Sequence, residues 1–148
     1  MPELRSADPS SANFPSADLP SAELLSPEAR EFASGNILAT LSTIGPDGSI
    51  HVVAVGFTLV GNTARVITSG PTQKVRNIER DSRATLSQLE GRRWLTLSGK
   101  AHIERDAESV AEAVRLYSGQ YRIPTENPQR VAIVIEIDSV LGSPGMRP

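Results

Sequence analysis

Thr68-Ser69-Gly70-Pro71-Thr72-Gln73-Lys74-Val75-Arg76-Asn77 reads as the end of a strand, a tight turn and the cationic start of a helix. A helix N-terminus leaves backbone N–H groups without partners and carries a positive partial charge, so it can receive an anion. Lys74, one of only two lysines in the chain, falls in that first turn. Such a junction suggests a site for a phosphate-bearing ligand, with a cofactor as the natural candidate. What flanks it decides the fold.

On both sides the pattern is strand and turn, not strand and crossover helix. Upstream, Asn36–Thr43 reads as a strand, Gly45-Pro46-Asp47-Gly48 as a turn, Ile50–Thr58 as a second strand, and Val60-Gly61-Asn62 as the turn into Thr63–Ser69. Downstream, the helix from Thr72 to Asp81 buries Val75 and Ile78. Arg83–Leu89, the turn Glu90-Gly91 and Arg92–Glu104 form a further hairpin. Ala107–Ser118 is a helix, with Val110, Ala111, Val114 and Tyr117 at helical spacing, and Arg130–Leu141 is the last strand. A first helix starts at Ser26-Pro27-Glu28, with Ser26 as N-cap and Pro27 at the first helical position, and stops at Gly35. The chain therefore predicts a mainly β protein with peripheral helices, a small six-stranded antiparallel barrel. The pattern is not βαβ, which argues against a dinucleotide-binding α/β fold.

Residues 1–22 hold four of the eleven prolines and a degenerate Pro-Ser-Ala-x-Leu unit. Such a segment buries too little apolar surface to offset its ordering entropy. We expect a disordered or loosely ordered tail over 1–25 and one cofactor-binding domain over 26–148. The tail reads as a neutral extension or as a partner-binding segment.

Fifteen Lys+Arg against seventeen Asp+Glu leave a net charge of −2. That balance argues against broad affinity for nucleic acid or an anionic membrane. Thirteen of the fifteen cations are arginines, consistent with phosphate and carboxylate recognition and equally with a compositional bias of the source genome. With no cysteine, disulfides and thiolate chemistry are excluded. No apolar run approaches a membrane span, and the expected location is cytoplasmic. His51 and His102 lie on separate strands without ligand-spaced carboxylates, so no metal site is expected. No nucleophile motif or acid/base pair stands out, and no catalytic side chain is assigned.

Two strands carry unusual faces. In Ile50–Thr58 both faces are apolar, so both are expected to be covered, and the even face ends in Ala54 and Gly56. Glycine in a strand marks close approach of a ligand or of other backbone. A flat ring lying there explains it, and so does packing at a barrel bend. In Arg92–Glu104 the odd residues Leu95 to Ile103 form a core face. The only tryptophan, Trp94, falls on the polar face with Arg92, Thr96, Ser98, Lys100 and His102. It covers a partner subunit or a ring-shaped ligand, or it is an exposed singleton. Gln73, Arg76 and Arg80 share one helix face, either extending the positive site or simply solvated.

His51 to Thr58, Ala64-Arg65-Val66-Ile67-Thr68 with Gln73-Lys74, and Leu86-Ser87-Gln88 with Arg93-Trp94-Leu95 resemble the split β-barrel family. That family holds pyridoxamine 5′-phosphate oxidases and flavin/deazaflavin oxidoreductases. Tyr121-Arg122-Ile123-Pro124, Asn127-Pro128 and Val140-Leu141-Gly142-Ser143 are similar to its branch that reduces biliverdin with coenzyme F420. The resemblance covers about residues 26–143.

It implies an FMN-binding-like split barrel and a homodimer with cofactor sites at the subunit interface. The cofactor would be F420, with FMN as the alternative, and the substrate a small tetrapyrrole. The implied activity is hydride transfer from reduced F420 to biliverdin, giving bilirubin. Alternatives are another F420- or FMN-dependent oxidoreductase of this fold, or a non-catalytic carrier of cofactor or tetrapyrrole. By similarity Thr68, Ser69, Gln73 and Lys74 line the phosphate, and Val53, Ala54, Val55 and Gly56 back the ring. Arg93 and Trp94 reach the site from the other subunit. Arg76 and Arg80 face the polyglutamate tail of F420, Gln88 lies near the ring, and Arg92 or Lys100 serves the substrate propionates.

Overall fold

The computed structural model describes residues 23–148; of the expected tail over 1–25, residues 1–22 lie outside them. In chain order the elements are α1 (Pro27–Ala33), β1 (Ala39–Ile44), β2 (Ile50–Val55), β3 (Thr58–Val60), β4 (Thr63–Ser69), α2 (Gln73–Arg80), β5 (Arg83–Glu90), β6 (Arg93–Glu104), α3 (Ala107–Gln120) and β7 (Arg130–Gly142). All strand pairings are antiparallel, in the order β2-β1-β5-β6-β7-β4-β3.

The expected closed barrel of six strands is thus corrected to an open sheet of seven. The reason lies at Gly56-Phe57. The expected single strand 50–58 breaks there, so β2 pairs with β1 while β3 pairs with β4 at the opposite edge of the sheet. A nearly continuous apolar run through 50–58 concealed the break.

Turn chemistry sets the β1–β2 hairpin. Gly48 takes φ 86°, and Asp47 Oδ1 accepts from Ser49 N–H at 3.0 Å. On β6, Leu95, Leu97, Gly99 and Ala101 point into the core as expected. Gly99 sits at a register shift against β7, where an added Cβ would fall 1.9 Å from the Glu136 carbonyl oxygen, so no larger residue fits.

The core is enclosed by the curled sheet, with α1 and α2 packed onto it. It holds Phe32, Leu41, Phe57, Val75, Ile78, Leu86, Leu97 and Ile133 among others. Leu25, which the expected division at residue 26 leaves outside the domain, is only 1% exposed and belongs to it. The helix 72–81 is observed at Gln73–Arg80, with Val75 and Ile78 buried as read from sequence. It also buries Asn77, whose Nδ2 donates to Thr43 Oγ1 at 3.1 Å and ties the helix to β1. α3 lies on β4 and β7. Its buried residue is Ala113, packed with Ala132, Val134 and Ile67, whereas Ala111 is exposed. No helix among the described residues is long and apolar enough to cross a membrane.

Candidate cofactor cleft

The strand break creates the site. Between β2 and β3 the N–H and C=O of Phe57 lose their ladder partners, and a buried backbone group without one is costly. Tyr121, just past α3, supplies both. Its hydroxyl accepts from Phe57 N–H at 3.1 Å and donates to Phe57 C=O at 2.9 Å. Gln120 Nε2 donates to the carbonyls of Ala33, Gly35 and Phe57. Tyr121 stacks on Tyr117 with ring centroids 4.9 Å apart. An added Cβ on Gly56 would meet the Tyr121 ring at 3.1 Å. The small residue at 56 therefore answers to two tyrosines, a chain approach rather than a ligand approach. Burial, opposed by the bonds to Phe57 and Gln120, pushes the Tyr121 phenol above its ordinary pKa.

The loop leaving Tyr121 returns to the turn that ends β4. Asn127 Nδ2 donates to Ser69 Oγ at 2.7 Å, and Gly70 N–H donates to the Gln129 carbonyl at 2.8 Å. A cleft of about 340 Å³ opens between these two anchors. Its floor is Ala54, Val55 and Gly56 from the end of β2, with Ile67 beside them. Thr68, Ser69, Lys74, Tyr117, Arg122, Asn127 and Arg130 complete its lining, with Arg130 paired across the strands with Ser69.

The cleft wall carries three cations and no carboxylate. α1 and α3 begin with a side chain accepting from the backbone, Ser26 and Asp106. α2 has no such cap and no acid in its first turn. Thr72 Oγ1 instead donates back to the Ser69 carbonyl at 3.0 Å, leaving the first N–H groups of α2 without a side-chain acceptor. Burial lowers the pKa of Lys74, and no carboxylate among the described residues forms an ion pair with it. A partly desolvated ammonium beside an uncapped helix start is a donor set that suits a phosphate.

Other residues singled out from sequence lie elsewhere. Val53 packs against the core. Gln73 donates to Asn77 Oδ1 at 2.7 Å and accepts from Arg76, so both side chains are engaged along the helix. Arg80 donates to the Ile44 carbonyl at the end of β1. Gln88 is buried, with Nε2 on the Ile37 carbonyl and Oε1 without a partner. Arg92 and Lys100 are exposed and do not line the cleft.

Arg93 lies 4.8 Å from the Phe32 ring centroid and pairs with Glu90. Trp94 is fixed through its backbone to Ser143, just past the far end of β7, whereas the cleft lies at Arg130, where β7 begins. A strand of that length spans roughly 40 Å when straight, at about 3.3 Å per residue. Within one chain, neither Arg93 nor Trp94 is a cleft residue. Both faces of β2 were expected to be covered. In the single chain Ile50 and Val52 are 69% and 53% exposed. The residues sequence reading missed are Tyr117, Arg122, Asn127 and Arg130. The cationic Arg122 and the tyrosine pair were visible in the chain, but nothing local joined them to Ser69.

The sequence profile described as pyridoxamine 5′-phosphate oxidase matches residues 25–143. An F420-dependent biliverdin reductase of Mycobacterium tuberculosis (strain CDC 1551 / Oshkosh) is 48% identical over 121 residues, covering 80% of this chain and 88% of that protein. Among solved structures, a conserved hypothetical protein of M. tuberculosis superposes with a TM-score of 0.70 at 23% identity, covering 82% of this chain and 86% of its own. A structure described as an F420 reductase superposes with a TM-score of 0.65 at 24% identity, covering 76% and 94%. These two establish likeness of fold.

Proposed function

This chain belongs to the pyridoxamine 5′-phosphate oxidase family, and from that premise we propose that it is a deazaflavin-dependent reductase that binds coenzyme F420 and reduces biliverdin to bilirubin. The observation that carries the substrate is the 48% identity to a biliverdin reductase across nearly the whole domain. The carboxylate-free cationic cleft supports an anionic cofactor independently.

Lys74 and the uncapped start of α2 hold the phosphate, with Thr68 and Ser69 beside them. Ala54 and Val55, at the cleft floor, would back the cofactor's flat ring. Reduced F420 supplies the hydride when bound, a chemistry no protein side chain provides. The tetrapyrrole takes that hydride at its central methine carbon and a proton at a pyrrole nitrogen. No carboxyl lines the cleft, so in this reading the proton comes from solvent or from a water ordered by an arginine.

The working unit is a cytoplasmic homodimer. Ile50, Val52, Leu89, Trp94 and Leu141 leave apolar surface exposed around a ladder of paired hydroxyls, Thr85 with Ser98 and Ser87 with Thr96, each at 2.9 Å. That apolar and hydroxyl-lined area suits a second copy, which would also bring Arg93 and Trp94 toward the partner's cleft.

Mixing the protein with reduced F420 and biliverdin tests the reading. Oxidised F420 and bilirubin should appear in equal amounts. Tight binding of either ligand without turnover would make the protein a carrier, and FMN released on denaturation would make it a flavin enzyme.

A further inference from the structure

Lys74 and Lys100 are the only lysines of the chain, and the fold places them in opposite surroundings. Lys100 is exposed on the outer face of β6, across the strands from Glu136. Lys74 is partly buried in the cleft, and no carboxylate among the described residues pairs with it. Burial holds its amine below the ordinary lysine pKa. The uncharged amine is the nucleophilic form, and a desolvated lysine supplies more of it than a solvated one.

The cleft also gathers donors that would hold a phosphate beside that amine. Ser69 Oγ accepts from Asn127, so its own proton remains to donate. Arg130 stands across the strands from Ser69 and spends one nitrogen on the Thr125 carbonyl at 2.6 Å. Its guanidinium has five N–H donors, so most remain for a ligand. An ordinary phosphate ester would only bind here. An acyl phosphate would also react, because its phosphate is held while its carbonyl carbon is electrophilic.

We propose that Lys74 is a modification site, acylated without a second enzyme by small acyl phosphates that use the phosphate end of the cleft. The inference rests on the functional reading above and gives that end a second class of ligand. The amine nitrogen attacks the acyl carbon, the bond from that carbon to the phosphate oxygen breaks, and inorganic phosphate leaves with the electron pair. The nitrogen's proton passes to the phosphate or to solvent. The amide is uncharged, so the cofactor's phosphate loses its ammonium partner. Bound cofactor shields the amine, and acylation therefore marks the protein only while the cleft is free.

Acetyl phosphate is the test reagent, with peptide mapping by mass spectrometry following Lys74 and Lys100 separately in the full chain. Lys74 should acetylate at least about tenfold faster than the more exposed Lys100. Inorganic phosphate should slow Lys74 and leave Lys100 unchanged. The ratio of the two rates should fall when the reagent is N-hydroxysuccinimide acetate, which has no phosphate to be held. Equal rates with acetyl phosphate, an unchanged ratio with the ester, or no protection by inorganic phosphate overturns the proposal. F420 is then titrated against treated and untreated protein. Acetylation should weaken its binding roughly tenfold or more. Lys74→Arg, which cannot be acylated in this way, should bind F420 equally before and after treatment, and an equal loss in that variant would overturn the link to Lys74. Protection by inorganic phosphate in a protein that binds no F420 would leave the acylation site standing and defeat the functional reading instead.

Discussion

Tyr121 and Phe57 are joined by two hydrogen bonds through a single hydroxyl, which accepts from the Phe57 N–H at 3.1 Å and donates to its C=O at 2.9 Å. This clasp lets the strand break at Gly56 without orphaning the backbone there. It couples the end of α3 to the floor of the cleft.

Tyr121→Phe should therefore destabilise the fold by about 1–3 kcal/mol, the usual cost of leaving a buried polar group unsatisfied. Gln120 Nε2 still reaches the Phe57 carbonyl at 3.3 Å, so the orphan is the N–H. Urea denaturation measures the loss. F420 binding should weaken alongside, because the Phe57 backbone next to the cleft floor loses its anchor to α3. A variant of unchanged stability would remove the clasp from the argument.

Lys74→Gln should weaken F420 binding roughly ten- to a hundredfold, the range of about 1.5–3 kcal/mol for a hydrogen bond to a charged group. The pH profile carries the sign. Burial lowers the Lys74 pKa below its ordinary 10.5, so the folded state disfavours the charged form. Stability should rise with pH between the lowered folded value and 10.5, because there the unfolded chain binds more protons. Cofactor affinity should move the other way, falling as the cation is lost, and should begin to fall below pH 10.5. Lys74→Arg keeps its charge and should flatten that limb. Fluorescence titrations across pH decide it, and a parallel decline in Lys74→Arg would assign the pH effect to another group.

Asn77→Ala should cost about 2 kcal/mol. Asn77 is fully buried, donates to Thr43 Oγ1, and accepts from Gln73 and Arg80. Its loss unties α2 from β1 and frees Arg80. Denaturant midpoints measure the cost, and an effect below a few tenths of a kcal/mol would show that the helix is held by Val75 and Ile78 alone.

Val52→Asp should yield a monomer. Val52 is half exposed in the single chain on the apolar outer face, and an isologous contact would set the new carboxylates into an apolar interface. Sedimentation of wild type and variant provides the measurement. A wild-type monomer removes the dimer. A dimer that persists in the variant places the interface elsewhere, and Trp94→Ala then tests the far end of the sheet.

The sequence by itself determined the local elements. Alternation of period two marked the strands, Gly48 and Asp47 marked the first hairpin, and Val75 and Ile78 marked the inner face of α2. These features depend on neighbours a few residues apart. The lysine in the first turn of that helix was legible for the same reason, whereas its missing cap was not. Tertiary structure alone decided the rest. The break at Gly56-Phe57 is made possible by Tyr121, sixty-four residues away. Arg130 reaches the cleft because β7 pairs with β4 opposite Ser69, and Asn127 ties the preceding loop to Ser69, fifty-eight residues back along the chain. Arg76 and Arg80 had the right charge and spacing for a ligand, yet Gln73 and the Ile44 carbonyl claim them. Charge and periodicity are written along the chain, but which cations converge on one cleft depends on contacts between distant segments, and these form only when the open sheet has assembled around its core.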